Sequence, residues 1–489
     1  MPEPRSWQLV AGSAVLGLTL AAGAAAAAGP WDSGQRKAER ARAAAADLRG
    51  GAHHAAAPGA PAARRPAPAP SAAGVLRALG APARSTRTGD GPGPGTAHGP
   101  ADLAAVLVPL LADPGLGPLR TASVVDTTTG RQLYGEGAAT PMTPASTVKI
   151  ATAAAALSAL GTDHRIATTT VTGTATGPDG RTVTLVGGGD PTLDQTRLKA
   201  LADATARALE TRPGAPAPVR LAYDTSLYQG PALHPIGPNE NLAPLSALMT
   251  DEGRLDGSRS GPAPRTADPA ADTATAFAAL LRAAGVDVQG TPAPGRAPRG
   301  AAAAPLARTE SAPLADLVER TLTHSDNDLA EALARQTALA HRQPASATGA
   351  AKAVHDELAR LGLPLAGARF ADGSGLDRRD RVSAALLTGI LTRAADPARP
   401  ALRPVLTGLP VGGFSGTLAG RFGSGTTAHG AGLVRAKTGT LTGVNTLAGT
   451  VVTADGRLLA FAFLAGRTSS PDTAQPALDR LSAALAPGR

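Results

Sequence analysis

Hydrophobic and polar positions divide the 489-residue chain into three stretches of different character. Leu9 to Ala28 is an almost unbroken apolar run of small residues, long enough to cross a bilayer. Residues 1–30 read as an export signal or signal anchor, with A-x-A cleavage sites such as Ala26-Ala27-Ala28 before Gly29. Arg36, Lys37, Arg40 and Arg42 follow the run while only Arg5 precedes it, so the positive-inside rule weakly opposes export. Residues 31–100 hold a short helical pattern (Gln35–Leu48) and then an Ala/Pro/Gly tract with scattered arginines. That tract has too few large apolar side chains to pack, and reads as a semi-extended linker.

Regular periodicity begins near Ala101. A helix is predicted over Leu103–Leu111, then a hairpin of Thr121–Asp126 and Gln132–Tyr134 turning at Thr129-Gly130. Thr143 and Pro144 read as the N-cap and first residue of an Ala-rich helix ending near Gly161. Strands at Arg165–Thr172 and Arg181–Val186 precede helices at Gln195–Glu210, Asp272–Ala284, Pro313–Leu322, Leu329–His341, Ala347–Leu361 and Ser383–Ala394. The end is strand-rich, with Gly432–Thr440, Asn445–Thr453 and Arg457–Leu464 closed by a helix over Asp472–Leu485. A strand–helix start, a helical middle and an antiparallel meander with a terminal helix predict an α+β fold.

Composition narrows the chemistry. With no cysteine, disulfides, thiolate catalysis, cysteine metal sites and lipobox anchors are excluded. Residues 1–100 carry eleven Arg and Lys against five Asp and Glu, so most of the net charge of +9 belongs to the N-terminal tail. Few aromatics and no basic stripe in the remainder argue against nucleic-acid binding. Arginine outnumbers lysine 42 to 5 and there are four asparagines, a bias expected of a GC-rich genome. Residues that survive such a drain are enriched for positions needing their own chemistry, and Lys149, Lys437 and Asn327 are among them. No H-E-x-x-H and no G-x-S-x-G occurs, so neither a zinc peptidase nor an α/β-hydrolase is indicated, and no metal or cofactor is expected.

Three short patterns follow one another: Ser146-x-x-Lys149, Ser325-Asp326-Asn327 and Lys437-Thr438-Gly439. On a helix, Lys149 shares a face with Ser146. An alcohol is a weak nucleophile until a base takes its proton, and a desolvated neutral lysine can do so. Chance would place all three patterns in this order roughly once in a thousand chains of this composition. His324 and Asp326 read as structural, and Asp190-Pro191 and Asp372-Gly-Ser-Gly as turns.

These three motifs resemble those of the penicillin-recognising serine enzymes, the penicillin-binding proteins and serine β-lactamases. Within them the chain is most similar to the D-alanyl-D-alanine carboxypeptidase/endopeptidase family of the penicillin-binding-protein 4 type. Gly188-Gly-Asp190-Pro-Thr-Leu193, Ala247-Leu-Met-Thr-Asp251-Glu-Gly253 and Asp372-Gly-Ser-Gly-Leu376 share in the resemblance, which spans about Ala101–Leu485. It implies a transpeptidase-like catalytic domain, residues 101–161 and 305–489, interrupted by an inserted domain at 162–304. It implies hydrolysis of peptidoglycan stem peptides at D-Ala-D-Ala, with D,D-endopeptidase action as an addition and β-lactams as inhibitors. Ser146 is then the nucleophile, Lys149 its base and Ser325 the proton relay. Asn327, Lys437, Thr438 and Gly439 bind substrate, and the backbone N–H groups of Ser146 and Thr440 form the oxyanion hole. The roughly 180 residues from Ser146 to Ser325, and the lack of an E-x-x-L-N after Asn327, set the chain apart from a class A β-lactamase. A β-lactamase or esterase of the same fold, and an inactive wall-binding protein, are the alternatives. Such a substrate lies outside the membrane, so export is expected, with residues 9–28 as the route or the anchor.

Overall fold

The computed structural model describes residues 100–173, 182–212, 217–300, 303–423 and 425–487. The apolar segment 9–28, the helical pattern at 35–48 and the linker lie outside the described residues. Alternation along two central strands decides how the catalytic layers stack. Strands β9 (Val444–Val452) and β10 (Leu458–Gly466) are buried along nearly their whole length, so both faces of their sheet must be covered. Leu459, Phe461, Phe463 and Ala465 face one core, with helices α1 (Pro100–Leu111) and α10 (Pro471–Ala483). Phe461 and Phe463 stack there with ring centroids 5.3 Å apart. Ala460, Ala462 and Leu464 face the other core, against α2 (Lys149–Leu160) and α8 (Ala384–Ala395). Small residues on this face let the helices approach closely.

The sheet is antiparallel throughout, in the order β2-β1-β10-β9-β8, with β1 at Leu119–Asp126, β2 at Gln132–Glu136 and β8 at Val434–Leu441. Lys437, Gly439 and Thr440 on β8 pair with Ala448, Thr446 and Asn445 on β9. As the last strand of the sheet, β8 is bonded on its outer side by Pro410–Gly412 at Val434 and Ala436, and from Thr438 onward that side has no strand partner among the described residues. Helix α2 is buried from Lys149 through Leu157, which explains its run of alanines: a helix buried on all sides has no room for more.

A second sheet lies between α2 and the later helices in sequence, in the order β6-β5-β4-β3-β7. Its strands are β3 (Ala167–Gly173), β4 (Thr182–Val186), β5 (Val219–Asp224), β6 (Val288–Pro294) and β7 (Ala303–Glu310). Strands β4, β5 and β6 are parallel, joined through α3 (Gln195–Glu210) and α4 (Pro269–Ala283). Leu198, Leu201, Phe277 and Leu281 from these helices pack on Val183, Leu185 and Leu221 of the sheet. Sequence periodicity did not anticipate β5, β6 or β7. Pro292, Pro294 and Pro305 mask the outer two, yet β6 and β7 are the edge strands, where a missing N–H is tolerated.

Two further helices meet at the Ser325-Asp326-Asn327 tripeptide. Helix α5 (Leu314–His324) ends with Ser325 in the left-handed conformation, φ 59°. Asp326 then caps α6 (Asn327–Ala340), its Oδ1 accepting the Leu329 N–H at 3.0 Å. The nucleophile helix starts differently from the expected Thr143/Pro144 cap. Ala145–Val148 form a 3₁₀ turn after Pro144, α-helix begins only at Lys149, and no side chain caps either. The cause is crowding: Ala145 takes φ 48°, and a side chain at Gly375 would lie 2.1 Å from the Ala145 carbonyl oxygen.

Phe461→Ala removes a fully buried ring between β10 and α10, and should destabilise the fold by about 3–5 kcal/mol. Denaturant unfolding of the two proteins checks this; a change below about 1 kcal/mol would mean that this core collapses around the loss.

Candidate active site

The 3₁₀ turn, the tripeptide joint and strand β8 converge on one cleft of about 300 Å³, lined by Ser146, Ser325, Asn327, Thr438 and Thr440 among others. Lys149, at the head of α2, is fully buried. Its Nζ lies 3.0 Å from Ser146 Oγ, 2.6 Å from Asn327 Oδ1 and 2.6 Å from the Ser374 carbonyl oxygen. Burial lowers its pKa to about 8, although Asp372, Asp326, Glu331 and Asp380 pull in the other direction. A neutral amine has two N–H bonds and one lone pair. The two carbonyl oxygens take the two protons, so the lone pair is left facing the Ser146 hydroxyl. That is the arrangement of a general base and its nucleophile.

Each acceptor is itself held. The amide of Asn327 is oriented by its Nδ2, which donates to the Asn241 carbonyl at 2.9 Å. Ser374 sits in a loop whose N–H groups end on buried carboxylates. Glu331 Oε1 accepts from the Gly373 and Ser374 amides at 2.8 and 3.0 Å. Asp372 accepts from the Gly375 and Asp377 amides, the Ser374 hydroxyl and His234 Nε2. These donors hold the Asp372 carboxyl well below the usual range despite its burial. Asp380, buried beside that charge, is pushed up to about 10 and so stays protonated. The Asp372-Gly-Ser-Gly stretch is thus a turn, as read from sequence, but its Ser374 carbonyl is part of the site. Its resemblance to the family was the available signal; nothing in its composition pointed to a backbone oxygen. His234, Asn241 and Glu331 escaped sequence reasoning altogether.

Across the cleft, Lys437 is also fully buried, with Nζ donating to the Thr438 carbonyl at 2.8 Å. Burial first, and then the Lys149 charge, depress its pKa. Thr438 Oγ1 lies 2.9 Å from Thr417 Oγ1 and faces the cleft. Gly439 is where strand and nucleophile turn touch. A Cβ there would fall 2.2 Å from Thr446 Oγ1, 2.7 Å from the Pro144 carbonyl oxygen and 3.1 Å from the Ser146 amide nitrogen. Thr446 Oγ1 donates to the Pro144 carbonyl at 2.7 Å, tying β9 to the turn that carries Ser146. The close approach sets Gly439 beside the Ser146 amide, and Ser146 and Thr440 both line the cleft.

Behind Ser325-Asp326-Asn327 lies a buried ionic cluster. Arg320 bonds Asp326 at 3.2 Å and also Glu252, Arg254 bonds Glu252 at 2.8 Å, and Arg265 bonds Asp328 at 3.0 Å. Burial and the neighbouring Asp326 raise Glu252 to about 9, and burial raises Asp328 to about 7. Glu252, Asp326 and Asp328 lie close enough together to hold a cation, but three guanidinium groups already supply the positive charge. Asp326 is therefore structural here, as the helix cap and an ion-pair partner.

Because the free amine is the base, the rate of acylation at Ser146 should rise with pH through about 8 and then level off, with the protonated form inactive. A flat profile from pH 6 to 10 would remove Lys149 from that role. Gly439→Ala should lower acylation at least about tenfold and destabilise the fold by about 1–3 kcal/mol, because the added methyl presses on the nucleophile turn and on the Thr446–Pro144 hydrogen bond. Acylation kinetics and a melting curve on one sample test both halves.

The D-Ala-D-Ala carboxypeptidase 3 (S13) family matches residues 103–264 and 256–485. Carboxypeptidase DacB of Mycolicibacterium smegmatis is 38% identical over 397 residues, covering 78% of this chain and 83% of its own. Carboxypeptidase Rv3627c of Mycobacterium tuberculosis is 37% identical over 397 residues, with 79% and 84% covered. Among solved structures, penicillin-binding protein 4 of Haemophilus influenzae superposes with a TM-score of 0.62 at 23% identity, covering 79% of this chain and 98% of that one. That likeness shows the penicillin-binding-protein fold, in agreement with the α+β reading. With its three motifs gathered in one cleft, the chain belongs to the D-Ala-D-Ala carboxypeptidase (S13) family.

Proposed function

We propose that this protein is a serine D-Ala-D-Ala carboxypeptidase that hydrolyses peptidoglycan stem peptides through an acyl-enzyme on Ser146. The observation that carries the reading is the Lys149 nitrogen, 3.0 Å from Ser146 Oγ and 2.6 Å from the Asn327 and Ser374 carbonyl oxygens, so that in the neutral form its lone pair faces Ser146. Family membership supports the substrate class.

The stem peptide lies along the outer side of β8 beyond Ala436, as an added strand would. Its terminal carboxylate is held by Lys437 and Thr438. Lys149 takes the Ser146 proton as Oγ attacks the penultimate D-alanine carbonyl. The Ser146 and Thr440 amides stabilise the oxyanion, a term typically worth about 3–4 kcal/mol per donor. Ser325 passes a proton to the departing D-alanine amine, and water then releases the shortened peptide. A penicillin presents a carboxylate and a strained amide to the same groups, and acylates the same oxygen.

Such a substrate requires the catalytic region outside the cell membrane. No helix among the described residues is long and apolar enough to cross a membrane. The apolar run at 9–28 is the export signal or anchor in this reading, and fractionation of cells expressing the full chain tests it: recovery in the cytosol alone would rule export out.

Fluorescent penicillin should label the wild-type protein and leave Ser146→Ala unlabelled. A peptide ending in D-Ala-D-Ala should release D-alanine with wild type, at a rate at least about a hundredfold lower in Lys149→Ala. Labelling of both serine forms, or rapid nitrocefin turnover without D-alanine release, would overturn the assignment. A cross-linked muropeptide dimer in the same assay shows whether endopeptidase cleavage accompanies it.

A further inference from the structure

A second cavity, of about 380 Å³, opens at the carboxyl ends of the parallel strands β5 and β6 and the start of α4. It shares no lining residue with the catalytic cleft. Crevices at the carboxyl ends of parallel strands are where open α/β sheets bind ligands, and the volume falls within the range for small molecules. The floor holds an unusual group. Arg335, on α6, is 3% exposed and lies over the Tyr228 ring, 5.4 Å from its centroid.

Only one edge of that guanidinium is occupied. Nη1 donates to Glu331 Oε2 at 2.7 Å and to the Glu331 carbonyl at 3.2 Å. Among the described residues, Nε and Nη2 find no acceptor and neither is sealed from solvent, and Arg335 lines the cavity. A buried guanidinium with a free edge is built to take a carboxylate. At the rim stands Asp268, whose Oδ1 caps α4 through the Ala271 N–H at 3.0 Å. The rest of the lining is mixed, with Pro231, Pro244 and Leu245 beside Thr225, Gln229 and Ser246.

We propose that this cavity is a second ligand site, which takes a small zwitterion, an α-amino acid or dipeptide, with its carboxylate on Arg335 and its ammonium toward Asp268. The site is wired to the catalytic base. Glu331, the partner of Arg335, also holds the Gly373 and Ser374 amides, and the Ser374 carbonyl holds Lys149. A carboxylate bound to Arg335 changes the charge balance on Glu331, one hydrogen bond from the loop that orients the amine. The released D-alanine of the proposed reaction has this chemistry, as does any free alanine or dipeptide, and binding at this site does not depend on that reaction.

Titration calorimetry on the purified full chain in a Ser146→Ala background, which cannot turn the probes over, tests the proposal. The probes are D-alanine, L-alanine, D-alanyl-D-alanine and D-alaninamide, which lacks the carboxylate. At least one of the carboxylate probes should bind saturably, one per chain, and D-alaninamide should bind at least about tenfold more weakly than its acid. Which acid binds best separates a free amino acid from a dipeptide. Arg335→Gln should weaken binding at least about tenfold. Gln229→Trp, an exposed lining position whose bulk closes the cavity without touching Glu331, should do the same and guards against loss through misfolding. Lys437→Ala, behind the wall of the catalytic cleft, should leave this binding intact. No saturable binding, equal binding of the amide, binding that survives both cavity variants, or binding lost with Lys437→Ala would each overturn the proposal.

Discussion

Everything in the catalytic region depends on how one buried amine is satisfied. An ammonium with no access to water carries a heavy desolvation penalty, so Lys149 moves toward its neutral form. A neutral amine still needs two acceptors for its protons. The fold supplies a side-chain carbonyl from α6 and a backbone carbonyl from the Ser374 loop, and the only remaining direction is toward Ser146. Satisfying a buried polar group and aiming a general base are one and the same arrangement.

That requirement propagates outward. Ser374 can present its carbonyl because Glu331 and Asp372 hold the amides of its loop, and each carboxylate has a buried cation or histidine behind it. Asn327 can present its carbonyl because Asn241 takes its N–H. His234 and Asn241, with Glu252, Arg254 and Arg265, come from the chain between β5 and α4, far from the catalytic motifs in sequence. The chain between β5 and α4 therefore forms the back wall of the site. Breaking a buried pair in such a network typically costs about 3–5 kcal/mol, since the remaining charge is left uncompensated.

Legibility followed the length scale of each interaction. The amphipathic helices, the meander and the hairpin were readable because periodicity is local. Strands β6 and β7 were not, since prolines at sheet edges look like loops until the neighbouring strands are known. The Thr143-Pro144 helix cap was misread for a related reason. Close contact with Gly375 and Gly439, more than 200 residues away, bends Ala145 into a left-handed conformation and leaves a 3₁₀ turn where a regular first turn was expected.

The sequence by itself determined which groups are available: a serine and a lysine three apart, an asparagine at a helix joint, and a lysine followed by threonine and glycine on a strand. Type, order and local spacing are properties of the chain, and in a composition so poor in lysine and asparagine they stood out. Only the tertiary structure decided the lowered pKa of Lys149, the part played by the Ser374 carbonyl, and the ionic wall that joins Glu252, Arg254 and Arg265 to Arg320, Asp326 and Asp328. Those depend on burial and on contacts between segments hundreds of residues apart. The energy of a charge or a hydrogen bond is set by what surrounds it in space rather than by its neighbours along the chain.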